Sequence, residues 1–328
     1  MHYDVFNGDA DGICSLLQLR LSNPKNSKLI TGVKRDISLL KKISPIKQDS
    51  VTVLDISMKK NYQEVVDFLE LGVEVFYADH HHSGDLLTHK NFRSYINESS
   101  SICTSLIINE YLSGKYREWA IVGAYGDGMD ESAKIIANKA GLSKDDRNKL
   151  RLLGECINYN SYGTSETDLL YHPSLLYKLL KRNYNPFDFI SSEASVYDRL
   201  LDSYCSDINK AKAILPEIEN NVISIIILPD ESWSRRVIGV YANLLMYGDK
   251  NRAHALMILN NNRDYLVGVR APYNNKSGAD LLCSMFGGGG GRRGAAGINN
   301  LPKQDKNNFI KEFKKQFSTN KIMPEFRY

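Results

Sequence analysis

The stretch Tyr77-Ala78-Asp79-His80-His81-His82-Ser83-Gly84 closes an alternating apolar run, Val73, Val75 and Tyr77, that reads as a β-strand. An acid and three histidines at the mouth of a strand are poor material for a core and good material for holding a divalent ion. Carboxylate oxygen together with neutral imidazole suits Mn, Zn or Fe, whereas Ca prefers oxygen alone. A polar turn with surface histidines would explain one such stretch, but three other segments end in the same way.

Residues His2 to Phe6 read as a strand, and NGDADG (residues 7–12) follows it before the apolar helix ICSLLQLRL. Ser50 to Leu54, SVTVL, delivers Asp55 at its end. Glu118 to Tyr125, EWAIVGAY, reads as a further buried strand whose following GDGMDE carries Asp127. Four apolar strands separated by helical segments, each ending in an acid or histidine, predict a parallel sheet with one shared site at its carboxyl edge. One aspartate at such a place is most simply a helix cap; four are not. Between these strands the pattern predicts a strand over Ser27 to Val33 and helices over Ile37–Ile43, Tyr62–Leu71 and Ile102–Leu112.

The remainder of the 328-residue chain divides by pattern. Residues 142–215 carry helical signals and few strand signals. Val222–Leu228, Ala255–Leu259 and Tyr265–Val269 then read as strands, with a helix over Val237–Leu245. The fold class is therefore α/β with two domains: an N-terminal parallel-sheet domain (1–150), a helical connection (151–219) and a smaller C-terminal α/β domain (220–328). The second domain carries FGGGGGRRGAAG, Phe286 to Gly297. Five consecutive glycines are conformationally expensive unless the backbone must approach something closely. Exposed N–H groups beside Arg292 and Arg293 suit phosphate or carboxylate.

Composition narrows the class. A hydrophobic share of 42%, a charged share of 24% and a formal charge of +4 are those of an ordinary globular protein that tolerates an anionic substrate. The cysteines Cys14, Cys103, Cys156, Cys205 and Cys283 lie far apart without a CxxC pair, which argues against a disulfide framework or structural zinc and favours the cytoplasm. No apolar run approaches the ~20 residues of a membrane span, and the N-terminus lacks the pattern of a signal peptide.

NGDADG, the lone Asp55 after VTVL, the DHH of Asp79 to His81 and the GDG around Asp127 resemble the metal-site motifs of the DHH phosphoesterase superfamily. GGGRRGAAG resembles the GGGHxxAAG signature of its DHH-associated C-terminal domain. In length the chain is most similar to the nano-RNases, which degrade short oligoribonucleotides. The resemblance implies metal-activated hydrolysis of a phosphodiester, with Asn7, Asp9, Asp55, His80 and Asp127 around one or two Mn²⁺ ions; Mg²⁺, Co²⁺ or Zn²⁺ are compatible. Asp55 would bridge the ions, Asp79 would orient His80, and His81 would contact the phosphate or leaving group. Gly289, Gly290, Gly291, Arg292, Arg293 and Arg270 would bind the substrate, and the resemblance leaves room for a homodimer. Two departures stand out: Asn7 replaces the usual first aspartate, and Arg292 the usual histidine. The implied function is an exonuclease-like phosphodiesterase acting on short oligonucleotides. Hydrolysis of a cyclic dinucleotide, 3′-phosphoadenosine 5′-phosphate or polyphosphate is the alternative, as is a degenerate member that only binds nucleic acid.

Overall fold

The computed structural model describes residues 1–85, 87–260 and 262–318. The chain order is β1 (His2–Phe6), α1 (Ala10–Ser22), β2 (Lys28–Ile30), β3 (Ser50–Leu54), α2 (Tyr62–Glu70), β4 (Glu74–Asp79), β5 (Phe92–Ile96), α3 (Thr104–Tyr111), α4 (Arg117–Gly126), α5 (Asp130–Lys139), α6 (Lys144–Ser161), α7 (Pro173–Leu180), α8 (Pro186–Ser192) and α9 (Ala194–Lys212). There follow β6 (Ile218–Glu219), β7 (Ile223–Leu228), α10 (Ser232–Gly248), β8 (Ala253–Leu259), β9 (Asp264–Arg270), α11 (Ala279–Ser284), β10 (Gly289–Arg292), β11 (Ala295–Pro302) and α12 (Lys306–Ser318). The chain packs as two compact units, Met1–Ser203 and Tyr204–Tyr328, so α6, α7 and α8 belong to the first and the division falls within α9.

The first unit is built on a parallel sheet ordered β2-β1-β3-β4-β5. Alternation along its strands separates two faces. Val5, Val53 and Tyr77 pack with Val65, Phe68 and Leu69 of α2. Phe6 turns to the other face and meets the ring of Tyr177 on α7. All strands of this sheet run the same way, so the segments following β1, β3 and β4 emerge at one edge.

Three sequence expectations change here. The run over Glu118–Tyr125 is helix α4 and not a strand, and Asp127 is therefore the residue that ends a helix. Its residues Trp119 to Tyr125 are all buried, because α1, α3 and α6 surround it. A helix packed by helices on several sides is apolar all round, and its sequence loses the 3.6-residue period that marks an amphipathic helix. The Ile37–Ile43 helix is reduced to a short 3-10 turn at Leu39–Lys42, and β5, half-exposed at the sheet edge, had no clear alternation to announce it. The Ser27–Val33 strand is shortened to β2.

The second unit has a sheet ordered β10-β11-β9-β8-β7-β6, in which β7 and β8 are parallel and the other pairs antiparallel. Its core joins Ile225, Met257, Val267 and Val269 to Phe309, Phe313 and Phe317 of α12. Helix α10 lies against β8 and β9. Among the described residues no helix is long and apolar enough to cross a membrane.

The position of Asp127 depends on how closely α4 and α6 approach. A Cβ on Gly154 of α6 would overlap the Val122 carbonyl oxygen and lie 3.0 Å from the Gly126 nitrogen. Gly154→Ala should therefore force the helices apart and cost about 1–3 kcal/mol, the usual range for overpacking. Thermal unfolding checks this, and an unchanged Tm would show that the crossing has slack.

Candidate metal centre

The edge at which β1, β3 and β4 end gathers the chemistry. Asp9 follows β1 as the N-cap of α1, where its carboxylate accepts from the Gly12 N–H at 3.0 Å. Asp11, two residues on, is wholly buried and accepts from the N–H groups of Thr104 and Ser105 at 2.8 and 2.7 Å. It caps α3 from α1 and so ties two helix starts to one spot. Asp55 follows β3 with a left-handed backbone, φ 58°, which costs a non-glycine residue of order 1 kcal/mol. It is 2% exposed and accepts from the Thr104 hydroxyl at 3.3 Å.

His80 holds the centre of this group. Its Nδ1 lies 3.0 Å from the Ile102 carbonyl oxygen, so Nδ1 is the protonated nitrogen and Nε2 presents its lone pair. That Nε2 is 3.6 Å from Asp55 Oδ1, 3.7 Å from Asp127 Oδ2 and 4.0 Å from Asp11 Oδ2. An imidazole nitrogen and carboxylate oxygens at these separations can share an ion in threes, with ligand bonds of about 2.0–2.2 Å. The ligand atoms of Asp55, His80 and His81 form a second such group, and those of Asp11, His80 and Asp127 the first.

Asp79 does not orient His80. Its Oδ1 accepts from His81 Nδ1 at 2.7 Å, and the Ile102 carbonyl takes the orienting role for His80. His81 is 37% exposed, while Asp79 is buried. Asn7, expected as a ligand, has both ends of its amide engaged by backbone: Oδ1 accepts from the Asp9 N–H at 3.3 Å and Nδ2 donates to the Lys34 carbonyl at 3.3 Å.

Lys34 had no motif to single it out. Its ammonium forms an ion pair with Asp9, hydrogen-bonds Asn158 Oδ1 at 3.2 Å and lies 3.6 Å from Asp127 Oδ1. It lies on the loop after the short strand β2 and reaches the site only through the fold. Burial pushes the Asp9 carboxyl up, but the Lys34 charge and hydrogen bond, helped by the Gly12 N–H, bring it down to about 2. Burial, followed by the charges of Asp9, Asp11, Asp127 and Asp79, holds Asp55 well above the ordinary carboxylate range. Asp11 is also raised, by burial and by the neighbouring carboxylates, with His80 opposing. So much negative charge in low dielectric calls for a cation.

The second unit's candidates are differently placed. Gly289 and Gly291 lie in the edge strand β10, where a Cβ would overlap the Cys283 carbonyl oxygen and the Ala296 backbone respectively, and Gly291 has φ 147°. Both glycines are thus needed by the hairpin itself, while Gly290 faces open space. Arg292 and Arg293 are exposed beside the Arg293-Gly294 turn. Arg270 is 9% exposed beneath α10, donating to Asn243 Oδ1 at 2.6 Å and to the Val269 and Gly239 carbonyls at 3.0 and 3.2 Å. Its observed contacts are structural. Near the turn, Lys276 and Lys250 stand 4.2 and 5.4 Å over the ring of Tyr273, which also meets Tyr247 at 5.5 Å. This basic and aromatic cluster escaped the sequence reading because its members are spread over some distance along the chain.

No family model matches the chain, and no curated protein does. Solved structures match its fold. A DHH-domain protein described as belonging to a family of ribosomal proteins superposes with a TM-score of 0.64 at 12% identity, over 98% of this chain and 87% of its own. Exonuclease RecJ bound to manganese gives 0.62 at 16% identity, over 98% and 90%. The pGpG-specific phosphodiesterase PggH from Vibrio cholerae gives 0.56 at 13%, over 97% and 99%. The chain has the fold of the DHH phosphoesterases, as its motifs imply.

Because Asp55 is destabilised by its neighbours, Asp55→Asn should raise the Tm of the metal-free protein; asparagine tolerates the left-handed backbone. With Mn²⁺ the order should reverse. An ion at 100 times its Kd adds about 2.7 kcal/mol to the wild-type protein, and the variant should lose most of that gain. Equal Mn²⁺-induced shifts in the two proteins would exclude Asp55 as a ligand.

Proposed function

We propose that the chain is a Mn²⁺-dependent phosphodiesterase that hydrolyses short oligonucleotides to mononucleotides. The observation that carries the reading is His80 Nε2 facing Asp55, Asp127 and Asp11 at 3.6–4.0 Å, with its tautomer set by the Ile102 carbonyl. When bound there, a divalent ion lowers the pKa of a coordinated water and offsets charge on the phosphate. His80 would hold it, with Asp11 and Asp127 on one side and Asp55 on the other. His81, steadied by Asp79 through Nδ1, would hold a proton for the leaving oxygen at Nε2, a positioned general acid. The manganese in the RecJ structure supports the choice of ion, with Mg²⁺, Co²⁺ and Zn²⁺ as alternatives.

The oligonucleotide reading is supported by the second unit. Tyr273 with Lys250 and Lys276 offers a face for a base and charge for phosphate, and Arg292 and Arg293 add cations. Polyphosphate would need the charge but not the ring. A cyclic or small dinucleotide would use both, which keeps it as the second reading. The intact cluster around His80 weighs against a degenerate binding protein. The five free cysteines support a reducing, cytoplasmic setting.

Purified protein with Mn²⁺ should release mononucleotides from labelled dinucleotides faster than it attacks long RNA, cyclic dinucleotides or polyphosphate, and chelation should abolish turnover. Phosphate released from polyphosphate alone would overturn the substrate assignment. Arg292→Ala should lower kcat/KM for a dinucleotide by about ten- to a hundredfold through KM, the loss of one charge-assisted contact. The same variant should leave bis-p-nitrophenyl phosphate hydrolysis nearly unchanged; equal losses on both substrates would remove Arg292 from substrate recognition.

A further inference from the structure

We propose that the first unit carries a second ligand site, for a nucleoside monophosphate, at the edge of its parallel sheet opposite the metal centre. The site is a cavity of about 440 Å³ where β1, β3, β4 and β5 begin and α1 and α3 end. Pockets that take small molecules run from about 300 to 1,000 Å³. The carboxyl edge is the usual binding edge of an open parallel sheet, so a cavity at the amino edge owes its chemistry to its side chains.

The most buried cation in its lining is Arg20, 4% exposed. It lies side-on to Asp4, which accepts from Nε at 2.9 Å and also from Nη2. Nη2 lies also against Thr52 Oγ1 and His2 Nε2, at 3.0 and 2.8 Å, and Asp4 is fixed in turn by the Ser27 hydroxyl at 2.5 Å. A side-on pair uses the Nε and Nη2 edge of the guanidinium and turns Nη1 away from the carboxylate. Nη1 donates to no protein group among the described residues. A buried, immobilised guanidinium with one NH₂ uncommitted is a seat for an anion, because an unmet charged donor is costly away from water.

The charge around it points the same way. Lys25, Lys90 and Arg93 also line the cavity, are exposed, and form no ion pair with the described residues. Against these four cations stand two acids, Glu74 in the lining and Asp4 behind Arg20. The carboxyl ends of α1 and α3, each worth about half a negative charge, do not cancel the surplus.

An aromatic wall supplies the rest of the recognition. Phe76 of β4 and Tyr111 at the end of α3 line the cavity with ring centroids 5.5 Å apart, and Tyr95 backs both at 5.4 and 4.9 Å. Tyr111 is 41% exposed, so much of its ring is uncovered. Ring surface beside unpaired cations stacks a base while the cations take its phosphate. Inorganic phosphate would leave the rings unused, and an uncharged nucleoside would leave Arg20 unmatched.

Binding to the metal-free protein tests this independently of the metal centre. Adenosine 5′-monophosphate should give a calorimetric binding event. Lys90→Ala/Arg93→Ala and Tyr111→Ala, all at exposed side chains, should keep the wild-type Tm and raise Kd about tenfold, the loss of charge-assisted contacts or of one stacked base. Arg20→Lys keeps a charge against Asp4, removes Nη1 and should weaken the nucleotide similarly. Arg292→Ala, in the second unit, should leave the event unchanged. Wild-type Kd in any of the three cavity variants that folds overturns the proposal, as does a loss confined to Arg292→Ala or the absence of binding at millimolar nucleotide. Inorganic phosphate bound as tightly as the nucleotide overturns the assignment of a nucleoside.

Discussion

The first unit is arranged around the repulsion among Asp9, Asp11, Asp55, Asp79 and Asp127, four of them buried and the fifth 11% exposed. Unpaired charge in such surroundings costs several kcal/mol per group, so each carboxylate must be matched or neutralised. Each is answered differently: Lys34 for Asp9, the start of α3 for Asp11, His81 for Asp79. Asp55 and Asp127 stand beside His80, and burial with neighbouring charge keeps Asp55 well above the ordinary carboxylate range. The same imbalance that would destabilise an ordinary core is what gives the site its affinity for a cation.

Parallel topology makes this convergence economical. With β1, β3 and β4 adjacent and running the same way, the residues just beyond their ends become neighbours without long loops. Helices add what strands cannot. The starts of α1 and α3 point N–H groups at Asp9 and Asp11, and α4 brings in Asp127 from another layer. The left-handed backbone at Asp55 is the one non-glycine strain in the set, and it falls where three carboxylates and two histidines meet.

The glycine run in the second unit has a partly architectural origin. Gly289 and Gly291 let β10 lie against the Cys283 carbonyl and β11, which leaves Arg292 and Arg293 near the hairpin turn. Glycine's close approach here is to protein backbone. The cations and the ring of Tyr273 nearby are what give this region a recognisable chemistry.

By itself the sequence determined the α/β class, the parallel strands β1, β3 and β4, and the gathering of Asp9, Asp55 and His80, because strand ends in alternating apolar runs point to one edge wherever the strands are parallel. It also marked Asp127, though on the wrong kind of element: α4 is buried by helices on several sides, and its apolar run carries no helical period. The partners of each polar group were decided only by tertiary structure. Nothing local says that Asp79 bonds His81 while a carbonyl 22 residues away orients His80, or that Asp11 caps a helix 93 residues on. Lys34 is the clearest case. On a loop after a short strand it reads as a surface charge, and it becomes part of the centre because β2 pairs with β1 and α6 ends beside it, placing its ammonium among oxygens from three distant segments.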